Sequence, residues 1–245
     1  MIDIHCHVLP EVDDGAKSWE VALEMCRMAA ADGIMHTVAT PHANHRYHYD
    51  REYLNRVVGE LRQRSGGRPQ LSLGCDFHLS YDNFEDLLTR PEKYLIEGSR
   101  SLLVELNNYS IPASIDDCIT RLVGMGITPI LTHPERNPIL QRSPDRVLQW
   151  VEEGCVVQVT AGVLTGSWGE HSWRTAEWLL KRQAVHVLAT DAHDTKRRVP
   201  ILSEARKLVA DDYGEDVARA LVEDNPRALV SGQPLPYFPK PIVKK

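Results

Sequence analysis

At 245 residues, 42% hydrophobic and 25% charged, the chain has the composition of an ordinary globular protein and the length for one large core. A formal net charge of −6 argues against a nucleic-acid-binding surface, and no apolar run approaches the roughly 20 residues that span a bilayer. Five scattered cysteines without a CxxC pair suggest neither a zinc ribbon nor a disulfide framework.

The first predicted strand, residues 1–5, carries Asp3, lacks the basic-then-apolar pattern of a secretion signal, and so points to a cytoplasmic location. It runs into His5-Cys6-His7. Side chains alternate along a strand, so His5 and His7 share a face and Cys6 points away. Two adjacent imidazoles are costly to hold together unless a cation bridges them. Trp19, Ala22, Leu23, Cys26 and Ala29 then share one helical face, which stops by Gly33. A second strand over 35–40 ends at Pro41-His42, a third over 70–75 at Asp76, and a fourth over 101–106 carries Glu105. Pro112 opens a helix with Ile115, Ile119 and Leu122 inward and Gly126 as its stop. The strand over 128–132 leads into His133-Pro134-Glu135-Arg136. Ser143-Pro144 reads as cap and first turn ahead of Val147, Leu148 and Val151, with Gly154 closing the helix. Strands over 156–159 and 185–190 flank a helix over 172–183, and the second of them ends at Asp191-Ala192-His193. Two more helices fill 201–224. From Asn225 the tail, 225–245, reads as an extended strap on a single domain spanning 1–245.

Alternating strands and helices imply a parallel sheet with helices outside, and several strands are continuous aliphatic runs, as strands buried on both faces are. Seven such strands close into a barrel or lie in an open sheet. An open sheet gathers its site at one switch point. Here His5, His7, His42, Asp76, Glu105, His133, Asp191 and His193 fall at the carboxyl ends of many strands, where a barrel carries its site. No GxGxxG or Walker pattern follows any strand. The expected fold is therefore an α/β barrel.

Mixed imidazole and carboxylate donors suit manganese, iron or zinc, and their number exceeds the three or four that one ion takes. Two or three divalent ions are expected, manganese first. Such a cluster suits an anionic substrate such as a phosphate ester, with the ions on its oxygens and a metal-activated hydroxide attacking phosphorus. Arg136 and the Arg197-Arg198 pair stand beside these motifs, where a guanidinium grips phosphate oxygens two at a time.

The opening segment through Asp13-Asp14-Gly15, Ala39-Thr40-Pro41-His42, Thr132-His133-Pro134-Glu135-Arg136 and Thr190-Asp191-Ala192-His193 resemble the PHP (polymerase and histidinol phosphatase) superfamily. Within it they are similar to the bacterial protein-tyrosine phosphatase branch associated with capsule and exopolysaccharide synthesis. The resemblance runs from Met1 to about Pro200. It implies a distorted (β/α)7 barrel with a trinuclear metal site. In that site His5, His7 and Asp191 hold one ion, and Asp76 bridges to a second, completed by Glu105 and His133. Asp14, His42 and His193 hold the third. It also implies a catalytic set of His42, Arg136 and Arg198, with the arginines on the phosphate. Where relatives carry glutamate in a Gly-x-Glu element, this chain has Gly74-Cys75-Asp76, one methylene shorter. His78, on the same strand face, is the candidate to compensate.

The function so implied is dephosphorylation of phosphotyrosine in proteins, with a bacterial tyrosine kinase as candidate partner. A phenolate, of pKa about 10, leaves without a strong acid. No cysteine here is followed six positions on by arginine, the spacing a cysteine-based phosphatase requires. The alternative is a small-molecule phosphatase, such as one for histidinol phosphate, but its alkoxide calls for an acid that the sequence does not single out. A catalytically silent metal-binding module would have lost ligands, and an amide hydrolase would not call for the arginines. His36, His171 and His186 read as surface or packing histidines, and His45 and His48 as loop residues. Trp168 reads as a groove cap, and Trp173 as core by its helical spacing with Ala176 and Leu180.

Overall fold

Aliphatic and β-branched runs form nine strands in the computed structural model, which describes residues 1–243; the last two residues of the anticipated tail lie outside the described residues. The strands are β1 (Ile2–Cys6), β2 (His36–Ala39), β3 (His42–Ala43), β4 (Gln70–Leu73), β5 (Asp76–His78), β6 (Ser101–Glu105), β7 (Thr128–Thr132), β8 (Val156–Thr160) and β9 (Val187–Ala189). Seven expected strands become nine because two are cut. Pro41 has no N–H to continue a ladder and parts β2 from β3. Gly74 parts β4 from β5, at a point where a Cβ would meet Val38 Cγ1 at 2.9 Å.

All pairings are parallel. One sheet has the order β1-β2-β4 and the other β3-β5-β6-β7-β8-β9. In place of one continuous sheet, the fold is mixed α/β with two parallel sheets among the described residues. They meet at an isolated parallel bridge between Cys6 and Ala192. The cuts supply the physical reason, since β2 and β4 pair in the first sheet while their continuations β3 and β5 pair in the second.

Helices cover the sheets with the faces the periodicity predicts. Trp19–Ala31, capped by Ser18, buries Ala22, Met25, Cys26 and Ala29. Ser114–Gly124 buries Ile115, Ile119 and Leu122, and Asp145–Glu152 buries Val147, Leu148 and Val151. Arg51–Arg64 and Tyr81–Thr89 are helices outside the predicted set. The helix expected over 172–183 is Gly169–Lys181, and it leaves Trp173 39% exposed rather than in the core. Thr175, Ala176, Leu179 and Leu180 form its buried stripe, and Trp173 stands at the margin of that stripe.

The tail differs as well. A wide π turn over Ala220–Asp224 leads into a helix over Asn225–Ser231, so the extended segment begins after Gly232. Pro226 lies in the first turn of that helix, where its missing N–H costs nothing. Leu229 joins Ile2, Ile4, Leu103, Ile130 and Val156 in a cluster drawn from both sheets, and the Ser101 hydroxyl donates to the Leu229 carbonyl at 3.0 Å. Two residues along the same strand faces, Leu103 is followed by Glu105 and Val156 by Gln158. One end of the inner surface is thus apolar, and the other carries chemistry.

Candidate metal centre

The structure brings all nine expected donors, His5, His7, Asp14, His42, Asp76, Glu105, His133, Asp191 and His193, into one cluster. Four sets have donor atoms within 4.8 Å of one another: His7, Asp14, His42 and His193; His5, His7 and Asp76; His5, His133 and Asp191; and His42, Asp76 and Glu105. The grouping differs from the expected one: His133 stands with His5 and Asp191 rather than with Glu105, His42 joins Asp76 and Glu105, and His7 joins the Asp14 set. His133 (φ 36°) and Asp191 (φ 49°) both take the left-handed backbone conformation. That conformation is costly for residues with a Cβ and turns the chain sharply at both strand ends.

The shorter side chain of Asp76 still reaches the cluster. Its Oδ2 lies 3.1 Å from His42 Nδ1, 3.5 Å from His5 Nε2 and 3.9 Å from His7 Nε2. Pairing of β3 with β5 sets His42 opposite Asp76. His78 does not stand in for it. Its Nδ1 lies 3.5 Å from Glu105 Oε2, and it belongs to none of the four sets.

Two residues outside the expected set and one backbone carbonyl hold the histidines in place. His5 Nδ1 faces Gln158 Oε1 at 3.0 Å, His7 Nδ1 faces Asp13 Oδ2 at 2.7 Å, and His193 Nδ1 faces the Asp191 carbonyl at 3.0 Å. Each acceptor fixes a hydrogen on Nδ1 and turns Nε2 toward the cluster, as metal-binding imidazoles are held. Asp3 ties β1 to the Asp191 turn: it accepts from the Thr190 N–H at 3.0 Å, the Thr190 hydroxyl at 2.5 Å and the His5 N–H at 3.3 Å. Burial raises its carboxyl to about 6 against these bonds. Asp13 also accepts the Gly15 N–H at 2.8 Å, folding Asp13-Asp14-Gly15 onto His7. A Cβ on Gly15 would sit 2.1 Å from the His7 carbonyl oxygen. The signals available in the sequence were a charged residue inside an apolar strand and the first aspartate of Asp-Asp-Gly.

Burial opposes a charged ring at His7 and at His42. Asp13 nevertheless brings His7 up to about 9, and Asp14 with Asp76 brings His42 to about 12. Burial and the His7 charge push His193 down to about 4. The His193 and His42 rings, each with Nε2 3.4 Å from Oδ1, pull Asp14 far below the usual carboxylate range. Burial also works against Asp76 and Asp191, yet His5 and His42 hold the first well below that range, and Arg136 and His5 the second. Both oxygens of Asp76, His42 Nδ1 and His193 Nε2 are buried without a hydrogen-bond partner among the described residues. Each such atom costs about 1–3 kcal/mol. A divalent cation among them would satisfy them, and this sulfur-free set of N and O donors fits manganese, iron or zinc.

Arg136 and Arg198 both reach Asp191 Oδ2, Arg198 Nη2 at 2.5 Å, while Asp191 Oδ1 lies 3.4 Å from Nε2 of both His5 and His7. The Trp168 ring lies 3.8 Å from the Arg136 guanidinium carbon and 5.2 Å from that of Arg198. Trp168 therefore holds the arginines by cation–π contact. Tyr47 stacks on His42, ring centroids 5.9 Å apart. His45, His48 and His171 are exposed, His36 bonds Ser72 at 2.8 Å, and His186 is fully buried.

The family described as capsular polysaccharide synthesis, CpsB/CapC, matches residues 1–231. The tyrosine-protein phosphatase YwqE of Bacillus subtilis (strain 168) is 28% identical over 249 residues, covering 100% of this chain and 97% of that protein. The putative tyrosine-protein phosphatase CapC of Staphylococcus aureus is 32% identical over 217 residues, covering 86% and 85%. A crystal structure from work on YwqE of Bacillus subtilis and CpsB of Streptococcus pneumoniae, described as unique metal-dependent tyrosine phosphatases, matches with a TM-score of 0.92. It shares 28% identity and covers 100% of both chains. Because the family match takes in every strand and every donor of the cluster, from β1 to the helix under the sheets, the chain belongs to the CpsB/CapC family of capsular polysaccharide synthesis.

Proposed function

We propose that the protein is a metal-dependent phosphatase that hydrolyses phosphotyrosine in proteins and so regulates capsule or exopolysaccharide synthesis. The observation that carries this reading is one cluster of nine N and O donors, six of them buried, with two arginines on its flank. The names of the relatives support it. Two or three divalent ions, manganese first, would be held by the four donor sets, with Asp76 between the second and the fourth. Bound there, the ions would neutralise phosphoryl oxygens and supply a water acidified enough to serve as nucleophile. Gln158 and Asp13 keep the His5 and His7 rings oriented for that task. Arg136 and Arg198, packed on Trp168, would offer N–H donors to the non-bridging oxygens. A phenolate leaving group needs no strong acid. An apolar cleft of about 540 Å³, lined by His78, Leu79, Phe84, Leu106 and Ile115 among others, suits the residues around a tyrosine; His78 links it to Glu105, 3.5 Å away.

The two sheets are best read as arcs of one distorted (β/α)7 barrel in a single domain. β2 with β3, and β4 with β5, are each one strand cut in two, and the Cys6–Ala192 bridge joins the arcs. A bacterial tyrosine kinase as partner and a cytoplasmic location belong to the same proposal. No helix among the described residues is long and apolar enough to cross a membrane.

The test is phosphate release from a phosphotyrosine peptide and from histidinol phosphate, with added Mn²⁺ and with a chelator. Chelator-sensitive release favouring the peptide is the expected result. Preference for histidinol phosphate would make the protein a small-molecule phosphatase, and silence on both would sink the phosphatase reading. Arg136→Ala should cost roughly 10- to 100-fold in kcat/KM, the worth of a charged hydrogen bond; unchanged kinetics would remove Arg136 from the phosphate site.

A further inference from the structure

Beside the candidate metal centre lies a cleft of about 390 Å³, lined by Asp14, Gly15, Lys17, His193, Lys196 and Arg197 among others. It shares Asp14 and His193 with the first donor set. Lys17, Lys196 and Arg197 are exposed. The lysine ion pairs among the described residues are Lys93–Asp86 and Lys181–Glu177, so Lys17 and Lys196 bring uncompensated charge to the cleft. The turn that presents Lys196 is fixed. Asp194 Oδ1 accepts the N–H groups of Lys196 at 2.6 Å, Arg197 at 2.7 Å and Arg198 at 3.4 Å. The Arg198 carbonyl accepts those of His193 at 2.9 Å and Asp194 at 3.1 Å. The acidic groups of the cleft are thereby engaged elsewhere, Asp194 within the turn and Asp14 toward His42 and His193. In a chain of net charge −6, this rim is a local reversal of sign, set beside a carboxylate-rich centre.

We propose that this cleft is a second anion subsite, in which Lys17 and Lys196, with Arg197, take a negatively charged side chain of the substrate peptide close to the phosphotyrosine. The inference rests on the phosphotyrosine reading above. A peptide whose phosphoryl group enters the donor cluster and whose chain continues past His193 lays a neighbouring residue over these cations. A carboxylate and a second phosphate share the required chemistry. Exposed pairs of this kind are modest in strength and are screened by salt, so the subsite tunes KM rather than the chemical step.

The experiment compares kcat/KM for one phosphotyrosine core flanked by glutamates, by glutamines, by lysines or by a second phosphotyrosine, with p-nitrophenyl phosphate as the substrate that has no flanks. At low ionic strength the wild type should favour a flanking anion over glutamine by roughly 5- to 10-fold, mostly in KM. The Lys17→Ala/Lys196→Ala variant should lose that preference while keeping its rate on p-nitrophenyl phosphate. Lys196→Glu should turn the preference toward the lysine-flanked peptide, a gain that a folding defect cannot produce. Whichever anionic flank gains more, the carboxylate or the phosphate, identifies the source, provided the double variant removes the gain. Equal rates on charged and neutral flanks in the wild type, or a preference that survives in the double variant, would overturn the subsite and leave the phosphatase reading standing. Hydrolysis of p-nitrophenyl phosphate with none of any phosphotyrosine peptide would overturn the phosphotyrosine reading itself, and the subsite with it.

Discussion

Gly15 lies closer to His7 than any side chain would allow, with its absent Cβ only 2.1 Å from the His7 carbonyl oxygen. Gly15→Ala must therefore push His7 or the Asp13 loop out of place. Metal affinity should weaken by about 10- to 100-fold, the usual effect of disturbing what orients a ligand, while circular dichroism keeps its native shape. Full metal content after dialysis would contradict this. The protons on the same histidines predict a second behaviour. Near neutral pH, His7, at about 9, and His42, at about 12, carry charges that an incoming cation must displace. Lower pH favours the protonated rings, so the metal Kd should rise as pH falls and drop as pH climbs toward 9, by about tenfold per unit for each proton released. Calorimetry in buffers of different ionisation heat counts those protons, and a Kd constant from pH 6 to 8 would refute the competition. Eight of the donors were legible because they sit at the ends of short apolar runs, whereas Asp14 came only with the family resemblance. Gln158, Asp3 and Trp168 were not, since alternation along a strand gives the face of a side chain but not its partner across 153 positions, as between His5 and Gln158.

Among the elements, β6, β7 and β8 followed from their apolar runs, whereas Pro41 and Gly74 divided two strands that read as continuous. The helix Asn225–Ser231 was hidden by Asn225-Pro226, which reads as a break although a proline is tolerated in a first turn. Asn225 anchors the tail to the sheet: its amide donates to the His186 carbonyl at 2.9 Å and the Tyr237 carbonyl at 2.7 Å. His186 itself accepts the Val157 N–H at 3.1 Å and stacks on Phe238 at 4.3 Å. Burial lowers its pKa to about 3, beneath the unfolded value of about 6.5. The unfolded chain therefore takes up this proton first, and stability is lost as pH falls from about 6.5 toward 3. His186→Asn keeps an acceptor near the Nδ1 position and does not titrate. Its loss of ellipticity on acidification should begin at lower pH than in the wild type, and coincident acid transitions would rule His186 out as a contributor.

At the scale of the whole molecule, the order of strand–helix units and the end of the sheets that bears the site were both readable. The division into two sheets was not, because periodicity reveals which faces are buried and says nothing of which edges pair. The helix bearing Leu229 shows how the far end of the sheets is closed. Leu229→Ala should cost about 2–5 kcal/mol in urea unfolding by leaving a cavity there. Turnover at low temperature should be unchanged, since the substitution lies at the apolar end, and a loss below 1 kcal/mol would show that the region collapses to fill the gap.

The bridge between Cys6 and Ala192 is reinforced by the His7 N–H on the Ala192 carbonyl at 2.9 Å and the Asp191 N–H on the His5 carbonyl at 2.8 Å. It closes a loop of 186 positions. The entropic cost of closing a loop grows only slowly with its length, about 0.6 kcal/mol per doubling, but pairing so distant in sequence makes folding slow. His5 and His7 leave the ribosome long before Asp191 and His193, the last members of the cluster. Until then the first two imidazoles have neither the carboxylate nor the turn that completes their sets. Assembly of the donor cluster is thus a late event in the making of each molecule, and a chain interrupted before residue 191 carries its first imidazoles without their partners.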